Sequence, residues 1–382
     1  MINIVANSAT PPEHHRFHFL DALRGLAAVL VIMRHSPQCY AHSLVTENSF
    51  VAVDFFFCLS GFVIAFSYEE RLSTFLTFKS FCVARFIRLY PIAAIGTVVG
   101  AVEIALQMHL HAAVNTFIPQ IALETVLGLL VLPSGRYLLF PLDRVMWTLF
   151  FEFIANLFYA ILLRMRLATT GFLVILVTLA VIALTGERLH LGTLDRGYNF
   201  DTAYVGFTRV SLSFLLGVLT FRLYRHQGRA RLSIGPSLLA AATITSVFVL
   251  ILCGPPSLTH NSAPELALLV LVFPLIVYFG AHVSLSSRWT PVCSFLGTIS
   301  YPVYVLHPPM LWPLTLSPSL RFAQTHQQLA APIMVAYAAA IVVFSWLAAQ
   351  FYDIPVRKTL TRLYKQRSTA RLSPQMALDG TR

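Results

Sequence analysis

Charge is scarce in this chain, and the scarcity excludes most soluble architectures. Asp, Glu, Lys and Arg make up 11% of the 382 residues, against roughly 25% in a soluble domain. A soluble chain of this length would divide into two or three domains, each needing a polar surface. Acid is the scarcer sign, with 16 Asp and Glu against 27 Lys and Arg. In a soluble protein such an excess would point to nucleic acid. Here the basic residues lie between apolar runs and in the tail, so no nucleic-acid partner is expected. Cysteine is sparse too. Cys39, Cys58, Cys82, Cys253 and Cys293 are scattered, odd in number and without metal-ligand spacing, which excludes a disulfide framework and leaves no metal expected. The first 16 residues are polar, and no cleavage site follows them, so removal of a signal peptide is not expected. Internal repeats are lacking as well.

What is abundant is apolar sequence. Hydrophobic residues reach 57% and mean hydropathy is +0.72. They gather in runs of about 20, the length that crosses a hydrocarbon core of roughly 30 Å. Runs at 19–37, 49–67, 87–107, 146–163, 169–186, 204–221, 234–253, 264–281, 294–314 and 331–351 predict an all-α polytopic bundle of about ten spans. A shorter run, 117–132, holds Pro119 and Glu124 and reads as a re-entrant or interfacial segment. Basic residues fall in alternate connections. Arg71, Lys79, Arg85 and Arg88 follow the second run, Arg164 and Arg166 the fourth, and Arg222, Arg225, Arg229 and Arg231 the sixth. The segments 38–48 and 254–263 hold neither Lys nor Arg. The positive-inside rule then places both termini in the cytoplasm of a plasma (inner) membrane. It divides the chain into a cytoplasmic segment 1–16, a membrane domain 17–355 and a basic tail 356–382, whose arginines suit anionic lipid headgroups.

An ionisable residue inside a span is costly and marks a functional candidate. Arg24 and His35 of the first span are eleven residues apart. That leaves about 20° after three full turns, so both share one helix face roughly 16 Å apart. Arg34 points elsewhere and fits snorkelling to the interface. Asp54 enters the second span near the depth of His35, where a carboxylate would orient an imidazole acting as general base. Glu152, Asn156 and Tyr159 make a polar stripe on the fourth span, and Ser300, Tyr304 and His307 make another on the ninth. Trp147 fits an interface anchor. Pro302 and Pro308 are expected to bend the ninth span towards a cavity. Arg85 and Arg88, at i and i+3, suit a phosphate-bearing ligand.

Six ordered segments carry a resemblance: FLDALRGLAAVLVIMRHS, VDFFFCLSGF, RFIRLYP, MWTLFFE, ISYPVYVLHP and FYDIPVRK. Together they resemble the acyltransferase 3 family of integral membrane acyltransferases, in its stand-alone form, over about 17–355. The resemblance implies acyl transfer, often of acetyl, from cytoplasmic acyl-CoA to a carbohydrate or glycolipid on the far face of the membrane. It carries over the first-helix Arg and His onto Arg24 and His35, the paired arginines onto Arg85 and Arg88, and the Trp and acid onto Trp147 and Glu152. Asp353 stands where many relatives have Glu. The expected site is therefore His35, Asp54, Arg24 and Glu152 for catalysis. Arg85, Arg88, Ser300, Tyr301 and Tyr304 are expected to hold the acyl-CoA donor, acetyl-CoA by preference. Intramembrane charge and broken helices also suit a transporter or flippase for a glycan or small solute. That alternative has no repeated halves to support it. A non-catalytic sensor or scaffold ranks behind both, because the motifs of the catalytic kind are intact.

Overall fold

The computed structural model describes residues 16–36, 47–110, 114–135, 137–227, 234–254 and 264–379. Expectations about 1–15, about most of 38–48 and 254–263, and about Arg229 and Arg231 lie outside the described residues. Each expected span is centred on a helix. The first is α1 (His18–His35). A 3₁₀ turn, Glu47–Val51, leads into α2 (Ala52–Thr74), followed by α3 (Phe78–Leu110) and α4 (Val114–Leu129). Next come α5 (Met146–Arg164), α6 (Thr170–Leu191), α7 (Ala203–His226) and α8 (Ile234–Cys253). Then α9 (Pro264–His282), α10 (Thr290–Met310), α11 (Ser317–Thr325) and α12 (Gln327–Ala348) complete the membrane domain. A π turn, Ala349–Asp353, joins α12 to α13 (Ile354–Asp379).

The protein is a polytopic all-α membrane protein. Seven of its helical segments are long and apolar enough to cross a membrane among the described residues. With Asp21, Arg24 and Arg34 on its 18 residues, α1 is too charged to join them. The short run before α5 forms a regular helix, with Pro119 accommodated inside it. At 16 residues α4 extends about 24 Å, less than a hydrocarbon core. Gln120 donates to Glu124 at 2.9 Å, while Ile118, Leu123 and Val126 face outward.

Helix contacts in lipid depend on close backbone approach, which small residues permit. A β-carbon on Gly25 of α1 would lie 2.5 Å from the Leu296 carbonyl oxygen of α10. On Gly61 of α2 it would lie 1.9 Å from the Phe214 carbonyl oxygen of α7. These two tight pairs, α1–α10 and α2–α7, set the positions of the site residues. One hydrophobic cluster runs through α1, α2, α5, α7 and α9. A second gathers Ala28 and Ile32 of α1 with Val303 of α10 and Met334 and Ile341 of α12. At the end away from the arginine-rich turns, two connections cross. The Leu139 N–H donates to the Tyr198 carbonyl at 2.9 Å and the Phe200 N–H to Tyr137 at 3.0 Å.

Candidate active site

A cavity of about 180 Å³ opens among α1, α2, α3, α5 and α10. Its polar lining is Arg24, Ser60, Arg85, Arg88, Thr148, Glu152, Ser300, Tyr301 and Tyr304. Seven of the nine expected site residues thus meet around one space, drawn from α1, α3, α5 and α10. Arg24 donates from Nε to Ser300 Oγ at 2.8 Å and from Nη2 to the Gly297 carbonyl at 2.9 Å. Asp21, one turn earlier, holds the same guanidinium at 3.1 Å. Glu152 accepts from Ser60 Oγ at 2.6 Å and pairs with Arg85 at 3.4 Å. Tyr301 donates to the Leu89 carbonyl at 2.5 Å, tying α10 to the helix that carries Arg85 and Arg88. Arg88 has no ion-pair partner among the described residues, so its guanidinium can take an anion.

Arg24 and His35 both face α10, as their eleven-residue spacing predicts. His35 meets His307, with His35 Nδ1 and His307 Nε2 3.1 Å apart and ring centroids 4.8 Å apart. His307 Nδ1 lies 3.1 Å from the Val303 carbonyl, and His35 Nδ1 lies 3.1 Å from the Val31 carbonyl. A backbone carbonyl only accepts, so each Nδ1 carries the hydrogen. His307 Nε2 then accepts from His35, and His35 Nε2 keeps its lone pair. That lone pair is able to take a proton. Tyr304 links this pair to the cavity. Its ring centroid lies 6.0 Å from that of His307 and packs edge-on against Phe56 at 5.5 Å.

Asp54 does not orient His35. Both its oxygens are taken by Arg209 of α7, at 3.3 Å from Nε and 2.5 Å from Nη2, and both side chains are buried. The physical reason is charge. A buried carboxylate gains more from a guanidinium than from a neutral imidazole. Arg209 also donates to the carbonyls of Leu194 and Arg196, at 2.6 and 3.1 Å. Arg209 was missed although an arginine inside the run 204–221 is itself an intramembrane charge. Arg34 does not snorkel; it pairs with Asp195 at 2.6 Å. Trp147 is no interface anchor either, being buried between Phe57 and Phe151. The stripe on α5 also divides. Asn156 donates to the Glu152 backbone carbonyl, and Tyr159 donates to Glu69 at 2.5 Å, away from the cavity. Asp353 pairs with Arg357 one turn on at 2.7 Å, a helix-end contact. Among the described residues no cluster of three potential metal ligands forms.

Residues 17–350 match the acyltransferase domain that defines the acyltransferase 3 family, so the chain belongs to that family of membrane acyltransferases. It is 36% identical over 168 residues to "Protein 2 in picA locus" of Rhizobium radiobacter, covering 40% of this chain and 84% of that protein. No solved structure matches it.

Proposed function

We propose that this acyltransferase takes an acyl group, acetyl by preference, from acyl-CoA at the arginine-rich face. It delivers the group to a hydroxyl of a carbohydrate or glycolipid at the opposite face. One observation carries the reading: a single cavity runs from Arg85 and Arg88 to Tyr304, one ring short of the His307–His35 pair. The phosphates of the donor are polyanionic and stay with the guanidinium groups. The arm passes Arg24, Ser300 and Tyr301. Arg24 and His35 lie roughly 16 Å apart along α1, comparable with an extended pantetheine, so the thioester reaches the histidine pair when the phosphates sit at the basic end. Tyr304 and Phe56 must part to admit it.

In the transfer, the acceptor oxygen attacks the thioester carbonyl carbon and its proton passes to His35 Nε2. The oxyanion collapses, the carbon–sulfur bond breaks and the proton returns to the thiolate, giving the ester and free CoA. Charge on His35 is shared through Nδ1–H with His307 Nε2 and the Val31 carbonyl. Arg24, tied to Ser300, Gly297 and Asp21, is a positioning residue along the arm. Glu152 holds Arg85 towards the cavity.

Sealed vesicles of known orientation, incubated with radiolabelled acetyl-CoA, test the reading. Label is expected to reach an impermeant acceptor on the opposite side. Transfer only when donor and acceptor share the basic side would overturn the sidedness, and transport of an acceptor without labelling would favour a flippase. For the donor site, Arg85→Ala and Arg88→Ala are expected to weaken acetyl-CoA binding about tenfold or more each. A charge-assisted contact is worth roughly 1.5–3 kcal/mol. Binding measured by calorimetry on the purified double variant checks this, and unchanged affinity would return both arginines to a topological role.

A further inference from the structure

A second cavity lies at the arginine-rich end, where α2, α5 and α7 finish. Its volume is about 470 Å³, and its lining is largely polar, with Glu69, Ser73, Arg164, Arg166, Thr169 and Arg222 around it. Glu69 is its only carboxylate among these residues, and it is already engaged. It accepts from Tyr159 at 2.5 Å, from Arg222 at 3.3 Å and from Arg225 at 3.4 Å. Each nitrogen of Arg222 is engaged as well, Nη2 donating to the Ala168 carbonyl at 2.7 Å and Nη1 to Thr170 at 3.2 Å. Arg164 and Arg166 have no ion-pair partner among the described residues. Both side chains are exposed, so the cavity keeps two solvated guanidinium groups without an ion-pair partner beside a bridged acid.

Arg166, on the wall of this cavity, and Val131, at the end of α4, are the two non-glycine residues with positive φ among the described residues. Arg166 closes α5 in a Schellman turn, with Leu167 N–H donating to the Leu162 carbonyl at 2.8 Å and Arg166 N–H to Leu163 at 3.1 Å. That turn needs a left-handed residue, ordinarily glycine, yet Arg166 sits there at φ 59°. A β-carbon in this conformation costs stability, and among the described residues the Arg166 side chain has no hydrogen bond or ion pair to offset it.

We propose that this cavity is a phosphate site, taking a phosphate ester between Arg164 and Arg166. The natural source is the headgroup of an anionic phospholipid in the adjoining leaflet, with a free phosphate as the other source of the same chemistry. The site is separate from the cavity of Arg85 and Arg88 and does not depend on acyl transfer.

Thermal unfolding of the full-length protein tests it without reading activity. Wild type and Arg166→Gly are compared in nanodiscs of phosphatidylcholine alone and of phosphatidylcholine with phosphatidylglycerol. They are compared again in neutral detergent with inorganic phosphate against chloride at equal ionic strength. Wild type is expected to gain Tm with phosphatidylglycerol. Arg166→Gly should match or exceed wild type without anions and lose at least half of that gain. A gain in detergent phosphate but not in phosphatidylglycerol assigns the site to a free phosphate instead. Equal gains for both proteins in both arms would overturn the proposal. So would a variant less stable than wild type without anions, because Arg166 would then serve the fold. Arg164→Gln provides a second variant without any backbone change, with the same loss of gain expected.

Discussion

Replacement of His35 by alanine is expected to leave an inserted, folded protein whose acyl transfer has fallen by about 10²–10⁴-fold, the usual contribution of a positioned base. The structure makes the two halves of that expectation separable. His35 closes the end of α1, and its ring contacts are the His307 ring and the Val31 carbonyl. Its removal opens no large void in the cluster around Ala28, Ile32 and Val303. Expression and thermal stability should therefore change little. His307→Ala should be milder. It removes the acceptor that shares the charge of the His35 imidazolium, a charge-assisted hydrogen bond worth roughly 1.5–3 kcal/mol, so about tenfold to a hundredfold in rate. Its loss should fall on kcat rather than on the KM for the donor, which the arginines hold. Steady-state transfer with purified variants in liposomes measures both. A His35→Ala protein that keeps more than about a tenth of wild-type activity would remove the residue from the role of base.

The spans were legible because lipid imposes a length and an apolar composition on each helix, and charge in the turns marks their alternation. The eleven-residue spacing of Arg24 and His35 was legible for a similar reason: a helix repeats every 3.6 residues, so shared faces follow from arithmetic. What arithmetic on one helix cannot supply is the partner across the interface. Asp54 and His35 share a depth, yet α7 brings Arg209 to the carboxylate and α10 brings His307 to the imidazole. Both pairings join residues far apart in sequence, Arg209 coming 155 residues after Asp54 and His307 272 after His35. Close backbone contact at Gly25 and Gly61 decides which helices become neighbours. Arg209 could still have been flagged, since an arginine inside an apolar run must find a counter-charge and Asp54 was the nearest candidate by depth. Trp147 shows the opposite limit. Its interface reading rests on a statistical preference of tryptophan, and packing between two phenylalanines overrides it.

The buried pair gives the second large effect, and it separates structure from catalysis. Arg209→Met leaves Asp54 fully buried without its counter-charge, and Asp54→Leu takes from the buried Arg209 the carboxylate it pairs with directly, leaving only the more distant Asp195 and Glu265. Breaking a buried pair from one side costs about 3–5 kcal/mol, a large share of a folded protein's net stability. Either single variant is expected to express poorly or to unfold well below wild type. Asp54→Leu should be the worse, because a carboxyl can take a proton when unpaired while a guanidinium stays charged. The double variant, Asp54→Leu with Arg209→Met, removes both charges and should recover most of the loss, as apolar replacement of buried pairs commonly does. Recovery stops short of complete, because the carbonyls of Leu194 and Arg196 lose the donor that Arg209 supplies. Activity of this double variant is the informative measurement. If Asp54 served only to hold Arg209, transfer per folded molecule should stay within about tenfold of wild type, since His35 and His307 keep their contacts. A stable double variant as inactive as His35→Ala would instead give Asp54 a catalytic duty that its pairing with Arg209 conceals.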